Sequence, residues 1–260
     1  KGLPDLEKHL ENISKFGLPA VVCINRFIDD IYHEQQIIKD GVFPASLLKN
    51  SVNFRKQCIG IDPPGRIWAH ICGSDLVRDK DGRMYVLEDN LRVPSGVSYM
   101  LENRLVMKRV FPELFEDYSI LPVDGYPTRL FDTLASLSPR PADYPTVVLL
   151  TPGIYNSAYF EHAYLANYLG YTLVQGDDLS VRDGRVWLKS LEGLHQVDVI
   201  LRRVDDAYCD PLELREDSRL GVTGLLQSVR LGHVAIANPI GSSVLENPGL
   251  LAFLPGIAKH

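Results

Sequence analysis

The 260-residue chain has little cysteine, and what it has is scattered. Cys23, Cys58, Cys72 and Cys209 form no Cys-x-x-Cys pair. That spacing suggests neither a zinc site nor a disulfide framework, and a reducing cytoplasm fits it best. Long apolar runs are missing too. None reaches the roughly 18 residues that a membrane span requires, so no membrane partner is expected. Basic charge is in deficit: 27 Lys and Arg stand against 33 Asp and Glu, a net charge of −6. Such a balance argues against nucleic acid as a general partner. The Gly-x-Ser-x-Gly elbow of serine hydrolases is absent, and no cysteine has the setting of a nucleophile. The first residues, "KGLPDLEKHLENISKFGLP", contain neither an initiator Met nor the apolar centre of a signal peptide. The chain is therefore expected to be a piece of something longer.

The hydrophobic fraction is 45%, enough for a proper core. The pattern predicts an α/β protein with an α+β first part. Residues 1–66 read as helices broken by turns. "NRFIDDIYHEQQIIKDG" sets Phe27, Ile28, Ile31 and Ile38 on roughly one face and stops at Gly41. "IWAHICGSDLVR" and "RMYVLEDN" read as two strands, and "PSGVSYMLENRLVMKRVFPEL" as a helix with Val97, Met100, Leu101 and Leu105 as its apolar stripe. "SLSPRPADYP", residues 136–145, is rich in Pro and Ser and marks the boundary between a 1–135 unit and a 146–260 unit. In the second unit strands alternate with a helix: "TVVLLTPG", "NSAYFEHAYLANYLG" stopped by Gly170, "YTLVQGDDL", a small hairpin at Asp183-Gly184, then "VDVILRRVDD". The alternation predicts an open α/β sheet, with ligands beyond the carboxyl ends of its strands.

The stretch "DLVRDKDGRMYVLEDN" carries the sharpest chemical signal. Asp81-Gly82 predicts a two-residue hairpin loop, with Lys80 facing Arg83 and Asp75 facing Glu88. A four-residue loop would pair Arg78 with Arg83 instead. Both registers put Asp75, Glu88 and Asn90 on one face of the hairpin, with Asp89 on the other. A slip by one residue would separate them. Opposed carboxylates repel unless something positive lies between them. A divalent cation such as Mg²⁺, which takes hard oxygen ligands, answers that need. The plain alternative is a solvated acidic hairpin edge.

At these residues the chain resembles the ATP-grasp ligases, which carry a late Asp and then a Glu-x-Asn pair on the next strand. "LRVPSG" follows here, as a proline-glycine turn does in many members. The closer likeness is to the circularly permuted ATP-grasp proteins similar to glutathionylspermidine synthase. "NRFIDDIYHEQQIIKDG", "VLEDNLRVPSGVSYMLENRLVMKRVFPELF", "LLTPGIYNSAYFEHAYLANYLG", "VDVILRRVDDAYCDPLELR" and "NPIGSSVLENPGLLAFLP" resemble that family's segments in its order. The likeness runs from about residue 18 to the end.

What the resemblance implies is specific. Residues 1–135 would be the metal-binding half of an ATP-grasp domain, and 146–260 a Rossmann-like pre-ATP-grasp domain. The nucleotide-clamping half would follow His260, so activity by this fragment alone is not expected. ATP would phosphorylate a small-molecule or peptide carboxylate, and an amine would displace phosphate from the acyl phosphate. Asp75, Glu88 and Asn90 would hold Mg²⁺ on the ATP phosphates. Arg92 would hold the acyl phosphate, with a surface ion pair as its plain role. The backbone of Ser95 and Gly96 would cradle an oxyanion at a helix start, or merely cap that helix. Of Arg202 and Arg203, at most one should reach the crevice to grip a substrate carboxylate; the alternative is an ion pair with Asp205 or Asp206. Asn156 and Ser157 would touch substrate or cap a helix. His162 and His70 read first as packing residues, and Leu245 to Pro248 as a turn or helix start. Two rival functions remain: a non-catalytic binding or scaffold protein on the same fold, and a metal-dependent hydrolase using the Asp75 and Glu88 face. The sequence does not fix the oligomeric state.

Overall fold

The computed structural model describes residues 24–140, 144–257 and 259–260. The helices expected before residue 24, Cys23 and the middle of the 136–145 stretch lie outside the described residues.

The chain enters on α1 (Ile24–Tyr32). Phe27, Ile28, Ile31 and Tyr32 are its buried stripe. The single long helix expected here is two. Gln35 takes a left-handed conformation (φ 54°) and starts a separate turn, α2 (Gln36–Lys39). Asp30 makes this break stable: its carboxylate accepts the amides of Gln36 and Ile37. The interruption rotates the face, so Ile37 is buried and Ile38 only partly so. After α3 (Ala45–Lys49) the chain returns under Tyr32. Tyr32 stacks between Phe54 and Trp68, and its hydroxyl donates to the Gly241 carbonyl.

β1 (Gly73–Arg78) and β2 (Met84–Asn90) form a two-stranded antiparallel hairpin. Residues 67–72, expected in the first strand, are irregular. Asn238 takes their ladder bonds instead: its Oδ1 accepts the amides of His70 and Ile71, and its Nδ2 donates to the carbonyls of Ile71 and Leu91. α4 (Val97–Val110) follows, and Pro112 starts a new helix, α5 (Pro112–Asp117), where one helix was expected. α6 (Tyr126–Ser136) leads towards the second unit.

There a parallel sheet has the order β4-β3-β8-β9, with β3 (Val147–Leu150), β4 (Thr172–Val174), β8 (Val199–Arg202) and β9 (Ala235–Ala237). α7 (Tyr159–Leu169) crosses from β3 to β4 and ends at Gly170 in the left-handed region (φ 71°), as its sequence predicts. Between β4 and β8 a separate antiparallel sheet folds out: β5 (Leu179–Arg182), β6 (Arg185–Ser190) and β7 (Gly193–Gln196). Asp183 and Gly184 both have positive φ, which makes the β5–β6 loop the expected two-residue turn. α8 (Leu225–Arg230) precedes β9, and α9 (Leu254–Ile257) is the last element. One core cluster joins α1, Trp68 and Leu91 to Val148, Ile200 and Ile236, so the hairpin's foot and the parallel sheet share apolar packing. Among the described residues no helix is long and apolar enough to cross a membrane.

Candidate functional site

The β1–β2 turn departs from expectation. Asp79 and Arg83 pair across a three-residue loop, with the Asp79 amide donating to the Arg83 carbonyl and the Asp79 carboxylate accepting the amides of Asp81 and Arg83. Only Gly82 of the loop has a positive φ. That carboxylate clamp stabilises the longer loop in place of the two-residue Asp-Gly turn. Arg78 then faces Met84 and Leu76 faces Val86, a register that would carry Asp75 and Glu88 to opposite faces. An extra residue, Leu87, bulges from β2 between Leu76 and Asp75. Beyond it Asp75 faces Glu88, Ser74 faces Asp89 and Gly73 faces Asn90.

Asp75, Glu88 and Asn90 therefore share one face, since positions two apart along a strand point the same way. Asp75 and Glu88 are exposed, and among the described residues no cation or hydrogen-bond donor partners either carboxylate or the Asn90 amide. Asp89 lies on the other face, where the Ser74 hydroxyl donates to it at 2.5 Å and the Cys72 thiol at 3.4 Å. Desolvation and the Asp89 charge push the Cys72 thiol up to about 12, so it is no ready nucleophile.

A cleft of about 450 Å³ opens beside this face, lined by Asp75, Asn90, Arg92, Ser95 and Glu246 among others. Glu246 organises its floor. One carboxylate oxygen accepts the amides of Leu91 and Arg92, at 2.9 and 2.7 Å. The other lies 3.3 Å from Arg92 Nε. Arg92 Nη1 donates to Asp205 at 2.9 Å. The guanidinium is thus held from two sides, and its Nη2 has no protein partner among the described residues. Asp205 follows the end of β8, and Glu246 closes the 3₁₀ turn Ser242–Glu246 after β9. The cleft is thus tied to segments that follow β8 and β9, but the expected strand ends 151–157, 175–178 and 202–206 do not line it. Glu246 is the residue that sequence reasoning missed. Its signal was weak: one acid closing the apolar run Val244-Leu245, ahead of a proline that reads as a turn.

The remaining candidates are placed as follows. Ser95 is exposed on the cleft wall. Gly96 precedes α4 with φ 110°, and its amide donates to Glu161 at 2.6 Å; the Ser98 hydroxyl donates to the same oxygen at 2.9 Å. A carboxylate of the protein itself thus occupies this helix start. Arg202 is 1% exposed and wholly engaged inside. It pairs with Asp206 at 2.5 Å and donates to the carbonyls of Asn238, Val204 and Pro239. Arg203 is buried against Glu161 at 3.4 Å. Both arginines follow the ion-pair alternative, although Arg203 has its partner in Glu161 and not in Asp205 or Asp206. Asn156 is exposed and caps the approach to α7 by accepting the Ala158 amide. His162 is buried with Nδ1 2.8 Å from the Thr151 hydroxyl, and burial lowers its pKa to about 4.

The donor set fits a hard divalent cation: two unpaired, opposed carboxylates and an amide oxygen. It contains no third His, Cys, Asp or Glu, and no group of three or more such residues placed for a metal occurs among the described residues. The further ligands of an ion here would have to be water or phosphate oxygens.

Comparison with known proteins agrees with the motif. An uncharacterized protein of Synechocystis is 50% identical over 254 residues, which cover 98% of this chain and 53% of that protein. Two uncharacterized proteins of Mycobacterium tuberculosis are 46% and 41% identical over 92% and 91% of this chain, and 44% and 27% of their own lengths. The chain thus spans about half, or less, of the curated relatives it matches. The profile of the circularly permuted ATP-grasp type 2 family matches residues 19–260, and the chain belongs to that family.

Proposed function

We propose that this chain supplies the metal- and phosphate-facing side of an ATP-dependent carboxylate–amine ligase that makes an amide through an acyl phosphate. The observation that carries this reading is the opposition of Asp75 and Glu88 with no cationic side chain paired to either among the described residues. Asp75, Glu88 and Asn90 are the residues that would hold Mg²⁺. Bound there, the ion would offset charge on ATP phosphate oxygens. Arg92 is held by Asp205 and Glu246, and its Nη2, without a protein partner among the described residues, would be the donor to a phosphoryl oxygen. Ser95 stands on the lip of the same cleft. Fixing these groups before substrate arrives lowers the cost of assembling a highly charged transition state.

The finer family reading belongs to the same proposal. Residues 1–135 form the metal-binding half of the ATP-grasp domain and 146–260 a Rossmann-like pre-ATP-grasp domain, joined through 136–145. The β4-β3-β8-β9 parallel sheet supports this assignment. The substrates are a small-molecule or peptide carboxylate and an amine, with chemistry similar to that of glutathionylspermidine synthase.

Calorimetry with Mg²⁺-ATP tests the reading. A charged hydrogen bond contributes about 1.5–3 kcal/mol, so Arg92→Ala and Asp75→Asn should each weaken binding roughly tenfold to a hundredfold. Unchanged binding in both variants would favour a scaffold role for this fold.

A further inference from the structure

A second cavity, of about 560 Å³, lies between the irregular 67–72 segment, α4 and α6. One stretch of chain connects it to the phosphate-facing cleft: His70 and Ile71 line the second cavity and Gly73 to Asp75 line the first, although the two linings share no residue. Asn238 fixes that stretch by accepting the His70 and Ile71 amides.

The lining has a definite chemical pattern. Ile71, Met100 and Leu130 give it an apolar wall. Arg129 on its rim is exposed and has no ion-pair partner among the described residues. His70 is also part of the wall, and both its ring nitrogens are shielded from water without a hydrogen-bond partner. Both nitrogens are closed off from the cavity as well as from bulk water, so the imidazole contributes its ring to the wall and no hydrogen bond to a ligand. Burial lowers the His70 pKa to about 4, so the ring is neutral near pH 7. Asp124 lies on the same rim, also without a cation partner among the described residues. A simple dianion would be repelled there. A ligand with one carboxylate and one ammonium group matches the unpaired Arg129 and Asp124 together.

We infer that this cavity binds an α-amino acid with an apolar side chain, carboxylate towards Arg129, ammonium towards Asp124 and side chain on Ile71, Met100 and Leu130. The inference rests on the ligase reading only for its purpose, which is to deliver a substrate next to the phosphate-facing cleft. The volume is within the usual range for a small-molecule pocket.

Nuclear magnetic resonance titration of the 260-residue chain with three probes tests it without ATP. The probes are L-leucine, N-acetyl-L-leucine and L-leucinamide. Leucine should shift the backbone resonances of residues 70–71 and 123–133. N-acetyl-leucine, lacking the ammonium, and leucinamide, lacking the carboxylate, should each bind at least tenfold more weakly. Arg129→Gln, at an exposed position, should reduce leucine binding at least tenfold, and Thr133→Phe, which fills the cavity, should abolish it. No response to leucine at 50 mM-scale concentration, or equal binding by all three probes, would overturn the inference. If either occurs while Mg²⁺-ATP still binds through Asp75, the amino-acid pocket fails and the ligase reading stands. If leucine binds and Mg²⁺-ATP does not, the ligase reading fails alone.

Discussion

Asp75 faces Glu88 across the β1–β2 hairpin only because Leu87 is an extra residue in the ladder. The three-residue turn sets a register that would separate the two carboxylates, and the bulge restores the opposition next to the cleft. Bulges of this kind re-aim side chains beside functional sites. The protein thereby places two like charges opposite each other on an exposed strand pair, an arrangement that weakens a sheet unless a cation joins them.

Arg202 and Asp206 provide the first prediction. Both are buried, at 1% and 0% exposure, and 2.5 Å apart. Arg202→Met should destabilise the fold by about 3–5 kcal/mol, because Asp206 would keep a buried charge without its partner. Chemical denaturation should show that loss, and Arg202→Met with Asp206→Leu should recover part of it.

Asn238 provides the second. Its side chain makes four hydrogen bonds to backbone groups of residues 70, 71 and 91. Asn238→Leu leaves the His70 and Ile71 groups unpaired, at about 1–3 kcal/mol for each one that water cannot reach, while the Leu91 carbonyl keeps the Ser242 hydroxyl. The melting temperature should fall by roughly 10 °C, given about 2–4 °C per kcal/mol for a domain near this size. Asn156→Ala, which removes only an exposed turn bond, should shift it far less.

The third concerns pH. Burial lowers the pKa of His162 and of His70 to about 4, from 6.5 in an unstructured chain. The unfolded chain therefore binds more protons between those values. Stability should be complete above about pH 6.5 and fall as pH drops towards 4. Each histidine contributes about 2–3 kcal/mol to that loss. Denaturant titrations at several pH values should show it, and His162→Gln should flatten the slope.

Much of this architecture is legible in the sequence, and the exceptions have physical causes. α7 and its Gly170 stop, the Asp183-Gly184 turn and β3, β4 and β8 follow from local pattern, since local rules and tertiary packing agree there, whereas the short β9 is not read from the sequence. The first hairpin turn does not, because the Asp79 side chain stabilises a longer loop than its Asp-Gly pair predicts. β7 was not anticipated: "GLHQ" has little strand character and is held by pairing with β6. In the site, the grouping of Asp75, Glu88 and Asn90 is readable from alternation, but the bulge that secures it is not. Glu246 is hidden because its role depends on Leu91 and Arg92, far away in the chain. Arg202 and Arg203 look like site residues from their place after a strand, yet Asp206 and Glu161 hold them inside.

Glu246→Gln offers a fourth prediction. The amide can still accept the backbone N–H groups of Leu91 and Arg92, but it removes the charge opposite the Arg92 guanidinium. Folding should change little, while binding of phosphate-bearing ligands should weaken several-fold as Arg92 loses its fixed position. Thermal unfolding and calorimetry with Mg²⁺-ATP, run on the same variant, separate the two effects.

On the proposed reading, Asp75, Glu88 and Asn90 hold the divalent ion of a bound nucleotide. Paramagnetic Mn²⁺ with ATP, followed by nuclear magnetic resonance, tests it most directly. Substoichiometric Mn²⁺-ATP should selectively broaden the amide signals of residues 73–75 and 88–92, and Asp75→Asn should remove most of that broadening. Broadening centred elsewhere, or the same hairpin broadening in wild type and Asp75→Asn, would contradict it.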